Sequence, residues 1–213
     1  IWADGDTVMD ASDNKALVRG GLWHNRLKDW RIDCDVSSLN DRFQVLNTTK
    51  TDNPLYYGKA YGAFTARFRG TFSRTDMDID ARTGRNTVLY LPLTTVADAQ
   101  EVRFIKFVNK DPAAALKLKP AAFRPEDLKG LNFNLNVTMT EDAEVQLIFD
   151  EVAGDIIKGV GTGGLRMSVN REGEFKMYGT YQIISGQYLF TLYNFVNKPF
   201  TVASGGTISW YGD

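Results

Sequence analysis

The sequence predicts an all-β protein, and three observations carry that expectation. Apolar side chains fall on every second position through most of the chain, as in Leu131-Asn132-Phe133-Asn134-Leu135-Asn136-Val137-Thr138-Met139. Period two gives an extended strand one oily face and one wet face. Turn-forming clusters, among them Arg171-Glu172-Gly173, Ser185-Gly186-Gln187, Asn197-Lys198-Pro199 and Ser204-Gly205-Gly206, separate the alternating runs. Helical spacing is confined to one stretch, 98–109, where Val102, Ile105 and Val108 recur beside Phe104 and Phe107.

Taken in order, residues 5–25 are mixed, with a strand over Lys15–Trp23, and a second strand covers Asp29–Val36. A polar connection with a short strand, Phe43–Leu46, occupies 37–54. A long strand then runs from Tyr56 to Arg69, with Ala60, Gly62, Phe64, Ala66 and Phe68 on one face. Gly70 allows a bulge or turn, and a strand at Thr87–Leu93 is ended by Pro92. After the short helix, Pro112, Pro120 and Pro125 deny regular structure to 109–129. From 130 onward the chain is a meander of antiparallel strands. Its apolar positions are Leu135 and Val137, then Val145, Leu147 and Phe149, then Leu165 and Met167, then Phe175, Met177 and Tyr181, then Tyr188, Phe190 and Leu192.

Composition excludes several functions. A formal charge of −1 argues against nucleic acid, because phosphate neutralisation needs clustered Lys and Arg. No run of about 18 apolar residues spans a bilayer as a helix. The chain begins at Ile1 without a signal peptide, so it is expected to be a fragment of something longer. One cysteine, Cys34, permits no internal disulfide or Cys-rich metal site and reads as a small buried hydrophobe. One histidine, His24, leaves little room for a zinc site or a Ser-His-Asp triad and reads as a surface or strand-end residue.

Three motifs imitate chemistry. Gly159-Val160-Gly161-Thr162-Gly163-Gly164 matches a dinucleotide fingerprint, but it runs into the strand Leu165–Val169 rather than a helix. Its glycines instead let the backbone bend or let strands approach closely. Asp76, Asp78 and Asp80 resemble the start of a calcium loop, yet Ala81 and Thr87 stand where glycine and glutamate belong. They read as the wet face of a strand. Glu141, Asp142 and Glu144 sit at a turn, where charges solvate. No catalytic constellation, cofactor site or metal site is expected, so the chain is not expected to be an enzyme.

One resemblance is specific. Gly161-Thr162-Gly163-Gly164-Leu165 and the spaced run Gly173, Phe175, Met177-Tyr178-Gly179, Tyr181 resemble the C-terminal domain of the TamB family. Gly186, Tyr188, Phe190-Thr191-Leu192, Lys198-Pro199-Phe200 and Ser204-Gly205-Gly206-Thr207-Ile208-Ser209-Trp210 continue it in order and spacing. Leu55 to Gly62 and Ala81-Arg82-Thr83-Gly84 also match, residues 1–54 match weakly, and 109–129 looks like an insertion. The division that follows is a single domain over 1–213. It comprises weakly matched strands at 1–54, strands plus a short helix at 55–108, the insertion at 109–129 and the strand meander at 130–213.

The resemblance implies a long antiparallel-type sheet curled into an open trough, a β-taco, with an apolar interior. Alternation alone does not separate such a trough from a closed sandwich, since both have one apolar face. It implies a periplasmic place at or near the outer membrane in a parent chain anchored in the inner membrane. It also implies phospholipid carriage and support of outer-membrane protein assembly with a barrel of the TamA or BamA type. The groove candidates are then Phe64, Phe68, Phe133 and the alternating residues named from Leu135 to Leu192. A second expectation is strand pairing with the barrel along the last strand, Thr207–Tyr211, with Ile208 and Trp210 on one side.

Overall fold

The computed structural model describes residues 1–53, 56–92, 130–150, 154–192 and 196–212. The expected helix at 98–109 and the insertion at 109–129 lie outside the described residues. Among those described, every regular element is a strand, and all belong to one 13-stranded sheet.

The first strands are β1 (Trp2–Met9), β2 (Lys15–Asn25), β3 (Lys28–Ser38), β4 (Phe43–Thr48), β5 (Tyr57–Thr71), β6 (Arg74–Thr83) and β7 (Thr87–Pro92). They are followed by β8 (Leu131–Met139), β9 (Ala143–Asp150), β10 (Asp155–Val169), β11 (Phe175–Leu192), β12 (Val196–Val202) and β13 (Thr207–Tyr211). The main path runs β1-β2-β3-β5-β6-β8-β10-β11-β12. Two expected turns proved to be strand. Ser185-Gly186-Gln187 lies inside β11, where Gly186 faces Gly159 of β10, and two residues without side chains let the strand continue across. Asn197-Lys198-Pro199 lies inside β12, which among the described residues pairs only with β11. Pro199 is tolerated there because an edge strand needs no donor on its outer side.

The sheet is not wholly antiparallel. β6 pairs with β8 in parallel, and β7 pairs with β9 in parallel. These pairings close a six-stranded, barrel-like circuit, β5-β6-β8-β10-β9-β7 and back to β5, with the other strands appended to it. The registers show its construction. β6 and β7 follow one another along one edge of β5, and β8 and β9 follow one another along one edge of β10. This closed circuit differs from the open trough that the resemblance implied. The physical cause is the short bridging pair β7/β9, which joins β5 to β10 beyond the ends of β6 and β8. Where β6 and β8 end, Thr140 donates its N–H to Thr83 Oγ1 at 2.9 Å and its hydroxyl to the Thr83 carbonyl at 3.0 Å.

A parallel pair lacks a hairpin to set its register, and side chains supply it here. On the wet face Asn132, Asn134 and Asn136 of β8 donate to Asp76, Asp78 and Asp80 of β6 at 2.8, 3.1 and 2.8 Å. A one-residue slip would break all three bonds and also turn the apolar set outward. The aspartates that imitate a calcium loop are thus a ladder that holds two strands in step. Arg171 adds an ion pair to Asp76 at 2.7 Å.

Candidate functional site: the shared apolar face

Cross-strand partners project to the same side of a sheet, so the registers can be read as rows. One row is Val18, Val36, Ala66, Ile79, Leu135, Met167 and Met177. Beside it run Cys34, Phe68, Met77, Phe133, Val169 and Phe175. On the other side run Phe64, Ala81, Val137, Leu165, Gly179 and Trp210. Beyond the bridging pair the face continues as Leu91, Leu147, Ile157, Tyr188 and Phe200. The groove candidates therefore share one face, contributed by strands from β5 to β11. Over β3 and β5 the opposite face is polar, with Arg69 bridging Asp33 and Asp35 at 2.7 and 2.9 Å. Beyond the bridging pair it carries a short apolar row of Ile148, Ile156 and Leu189.

Burial divides the candidates. Val145, Leu147, Leu165, Met167, Met177 and Tyr181 are buried in one core cluster with Leu91, Met139, Ala143, Ile183 and Trp210. Phe64, Phe68, Phe133, Leu135, Val137, Phe175, Tyr188 and Phe190 are half-buried, and Phe149 is exposed. Leu192 closes β11 opposite Val196. Phe149 and Phe190 gather around Tyr188 with ring centroids 6.4 and 6.2 Å away, and Phe200 stacks on it at 6.2 Å. The Tyr188 hydroxyl is hydrogen-bonded to the Asp155 carboxylate, which together with burial and the nearby charge raises its pKa. Phe200, Leu91 and Ile183 were missed in the sequence reading. Phe200 directly follows the expected turn Asn197-Lys198-Pro199 and Ile183 shortly precedes Ser185-Gly186-Gln187, where a single apolar residue carries no period. Leu91 stands in the expected strand Thr87–Leu93 with nothing to mark which of its faces is covered.

Of the two docking candidates, Ile208 is half-buried and Trp210 is 9% exposed, seated beside Gly179 in the core cluster. What β13 presents outward is backbone. Among the described residues its only strand partner is β11.

The glycine-rich run acts through space. A Cβ on Gly161 would run into the Gln182 carbonyl oxygen and come within 2.8 Å of Tyr181 Cζ, so the Tyr181 ring lies over bare backbone. Tyr181 OH reaches the Gly159 carbonyl at 3.4 Å, and burial together with the Glu144 charge pushes its pKa up to about 12. Cys34 is half-buried, and its thiol is pushed up first by burial and then by Asp35. Among the described residues no cluster of His, Cys, Asp and Glu could hold a metal ion, and no helix is long and apolar enough to cross a membrane.

A sheet whose rungs share one apolar side, with charge and amide ladders on the other, defines the class: extended β-domains organised around a common hydrophobic face. The family model of the TamB C-terminal domain matches residues 6–213, essentially the whole chain, and the chain belongs to that family. No curated protein and no solved structure matched it. Membership implies a place in the translocation and assembly module of the cell envelope, with TamA as the outer-membrane partner.

Proposed function

We propose that this domain carries phospholipid acyl chains along its apolar face in the periplasm, toward the outer membrane, and thereby supports outer-membrane protein assembly. The observation that carries the reading is the continuity of the face across in-register strands, from Val18 on β2 to Met177 on β11. Its N-terminal stretch is only half covered by protein. The open trough is then the N-terminal part of the sheet outside the closed circuit, β1 to β4, together with the half-buried rows that lead into it.

Affinity would be hydrophobic and non-directional. At about 0.8 kcal/mol per methylene, sheltering one long acyl chain gains on the order of 10 kcal/mol. One tight pocket would trap lipid at that strength. A row of near-equivalent side chains lets the chain slide, because each step exchanges similar contacts. No catalytic group and no cofactor enter this mechanism.

The test is mass spectrometry of protein purified without detergent, comparing wild type with Phe68→Asp. Phospholipid should copurify with wild type and fall at least severalfold in a folded Phe68→Asp variant. Unchanged lipid loading in that variant would sink the reading. A second reading is favoured by the sheet edges. β1 and β13 each pair with a single strand among the described residues, and their outer donors and acceptors can pair with a barrel strand. Crosslinks to lipid at Phe133 support carriage, whereas crosslinks to protein confined to β13 support docking.

A further inference from the structure

Three aromatic contacts gather where two hairpins turn. Trp30 packs against His24 at 4.6 Å and stacks on Phe72 at 6.1 Å, and Trp23 meets Trp2 edge-on at 5.8 Å. The Phe72 N–H donates to the Trp30 carbonyl at 3.4 Å, which ties the β5–β6 turn to the β2–β3 hairpin. A cleft of about 680 Å³ between them is walled by Trp23, His24, Trp30, Arg31, Phe72 and Ser73. Trp23, 43% exposed, and Phe72, 66% exposed, face water, as does Leu27 at the neighbouring apex at 71%, while Trp30 is half-buried. Arg26, Lys28, Arg31 and Arg74 surround them, all exposed and none in an ion pair among the described residues, against the single acid Asp29.

The turn itself is expensive. Asn25 pairs with Lys28, so Arg26 and Leu27 are the two central residues of a tight hairpin, at φ +47° and +63°. Asn-Gly is the filling that such a left-handed turn favours, and a leucine there is strained. Strain held at an exposed apex points to a role for the side chains it presents. Here they are one cation and one apolar residue, aimed outward between tryptophans.

We propose that the paired tips of the β2–β3 and β5–β6 hairpins are a bilayer-docking site for anionic phospholipid membranes. Trp23 belongs at the headgroup level, where its ring is apolar and its N–H is wet, while the Trp30 N–H donates to the Leu27 carbonyl at 3.1 Å and braces the turn. Leu27 and Phe72 reach the acyl boundary, and the four cations complement anionic headgroups. A protein partner would need acids facing those cations, and it would meet two convex tips rather than a flat patch. This goes beyond lipid carriage, since it concerns where the domain touches a membrane and not what its apolar face holds.

The test is cosedimentation of the chain with vesicles of phosphatidylethanolamine and phosphatidylglycerol, against neutral phosphatidylcholine vesicles. The informative variant is the double substitution Arg26→Asn and Leu27→Gly. It relieves the turn, so its melting temperature should match or exceed wild type, while vesicle binding should fall at least tenfold. A companion, Phe72→Ser, should lose binding to a smaller degree. Wild-type binding that ignores lipid charge, or binding that survives the double substitution, overturns the proposal. So does loss of crosslinking to an outer-membrane barrel with vesicle binding unchanged, which would make the tips a protein-docking surface. Copurified phospholipid is scored separately. It should persist in the double variant, so failure at the tips and failure of carriage are distinguishable.

Discussion

The two ends of the main apolar row are built from the same alternation, and they end in different states. At the β2–β3 end Val18 and Val36 are half-buried, and at the β10–β11 end Met167 and Met177 are each 7% exposed. Strand pairing accounts for the difference. β10 belongs to the closed circuit, and β11 pairs with it and receives Trp210 of β13, while β1 to β4 extend away from the circuit on one side of β5. Equal patterns thus give equal faces but unequal cover. The covered end is a core, and the half-covered end is a surface still available to a ligand.

The largest expected effect comes from placing a charge at each end. Leu147, at 1% exposure, is completely enclosed by the core cluster. Leu147→Arg buries an unpaired cation, with an expected cost of about 4 kcal/mol or more and loss of cooperative unfolding. Phe68→Asp removes a half-buried ring whose site stays in reach of water, at about 1–2 kcal/mol. Urea titrations followed by circular dichroism measure both. Similar costs at the two positions would erase the distinction between core and open face. A charge at Leu147 therefore probes the fold, and only the half-buried positions can probe transport.

A smaller, more local contrast lies within the glycine run. Gly161→Ala drives a methyl into the Gln182 carbonyl and the Tyr181 ring, whereas a Cβ on Gly164 meets nothing within 4 Å. Overpacking of this kind costs about 2 kcal/mol, and the open position should stay within about 0.5 kcal/mol of wild type. Equal thermal shifts for the two alanine variants would mean that strand curvature, not close approach, sets the need for glycine.

These contrasts also mark what could be read from the sequence. The strand content and the identity of the apolar face were legible, because both follow from a period that each strand carries by itself. The wet-face role of Asp76, Asp78 and Asp80 was legible from the same alternation, but their partners were not. Asn132, Asn134 and Asn136 lie 56 residues away across a parallel pairing that no hairpin announces. The closed circuit was hidden for that reason too: period two fixes which way a side chain points and says nothing of which strand lies beside it. Burial was hidden because cover is a property of neighbours. The hairpin tips were missed since Trp23, Leu27, Trp30 and Phe72 follow no shared period. The signal available was a turn without glycine, Asn25-Arg26-Leu27-Lys28, flanked by tryptophans.

Titration should separate the two regions most gently. On the thinly covered side, partial burial pushes the Asp10 carboxyl up, but the Gln44, Ser12 and Asn14 N–H groups and the Asn14 amide outweigh it and hold the pKa at about 2. A depressed carboxyl stabilises the fold above its unfolded pKa near 3.8, and that contribution disappears as pH falls toward about 2. On the covered side the Tyr181 hydroxyl stands at about 12, raised from 10.0, so its contribution is complete below pH 10 and is lost as pH rises through 12. Acid should therefore loosen β1, β2 and β4 first, where Asp10 ties the β1–β2 turn to Gln44, and alkali should loosen β9, β10 and β11 first. Hydrogen exchange resolved by segment at the two extremes reads this directly. Asp10→Asn should flatten the acid response and Tyr181→Phe the alkaline one. If one region opens first at both extremes, the two ends of the sheet are a single cooperative unit, and the half-covered face is held as firmly as the core.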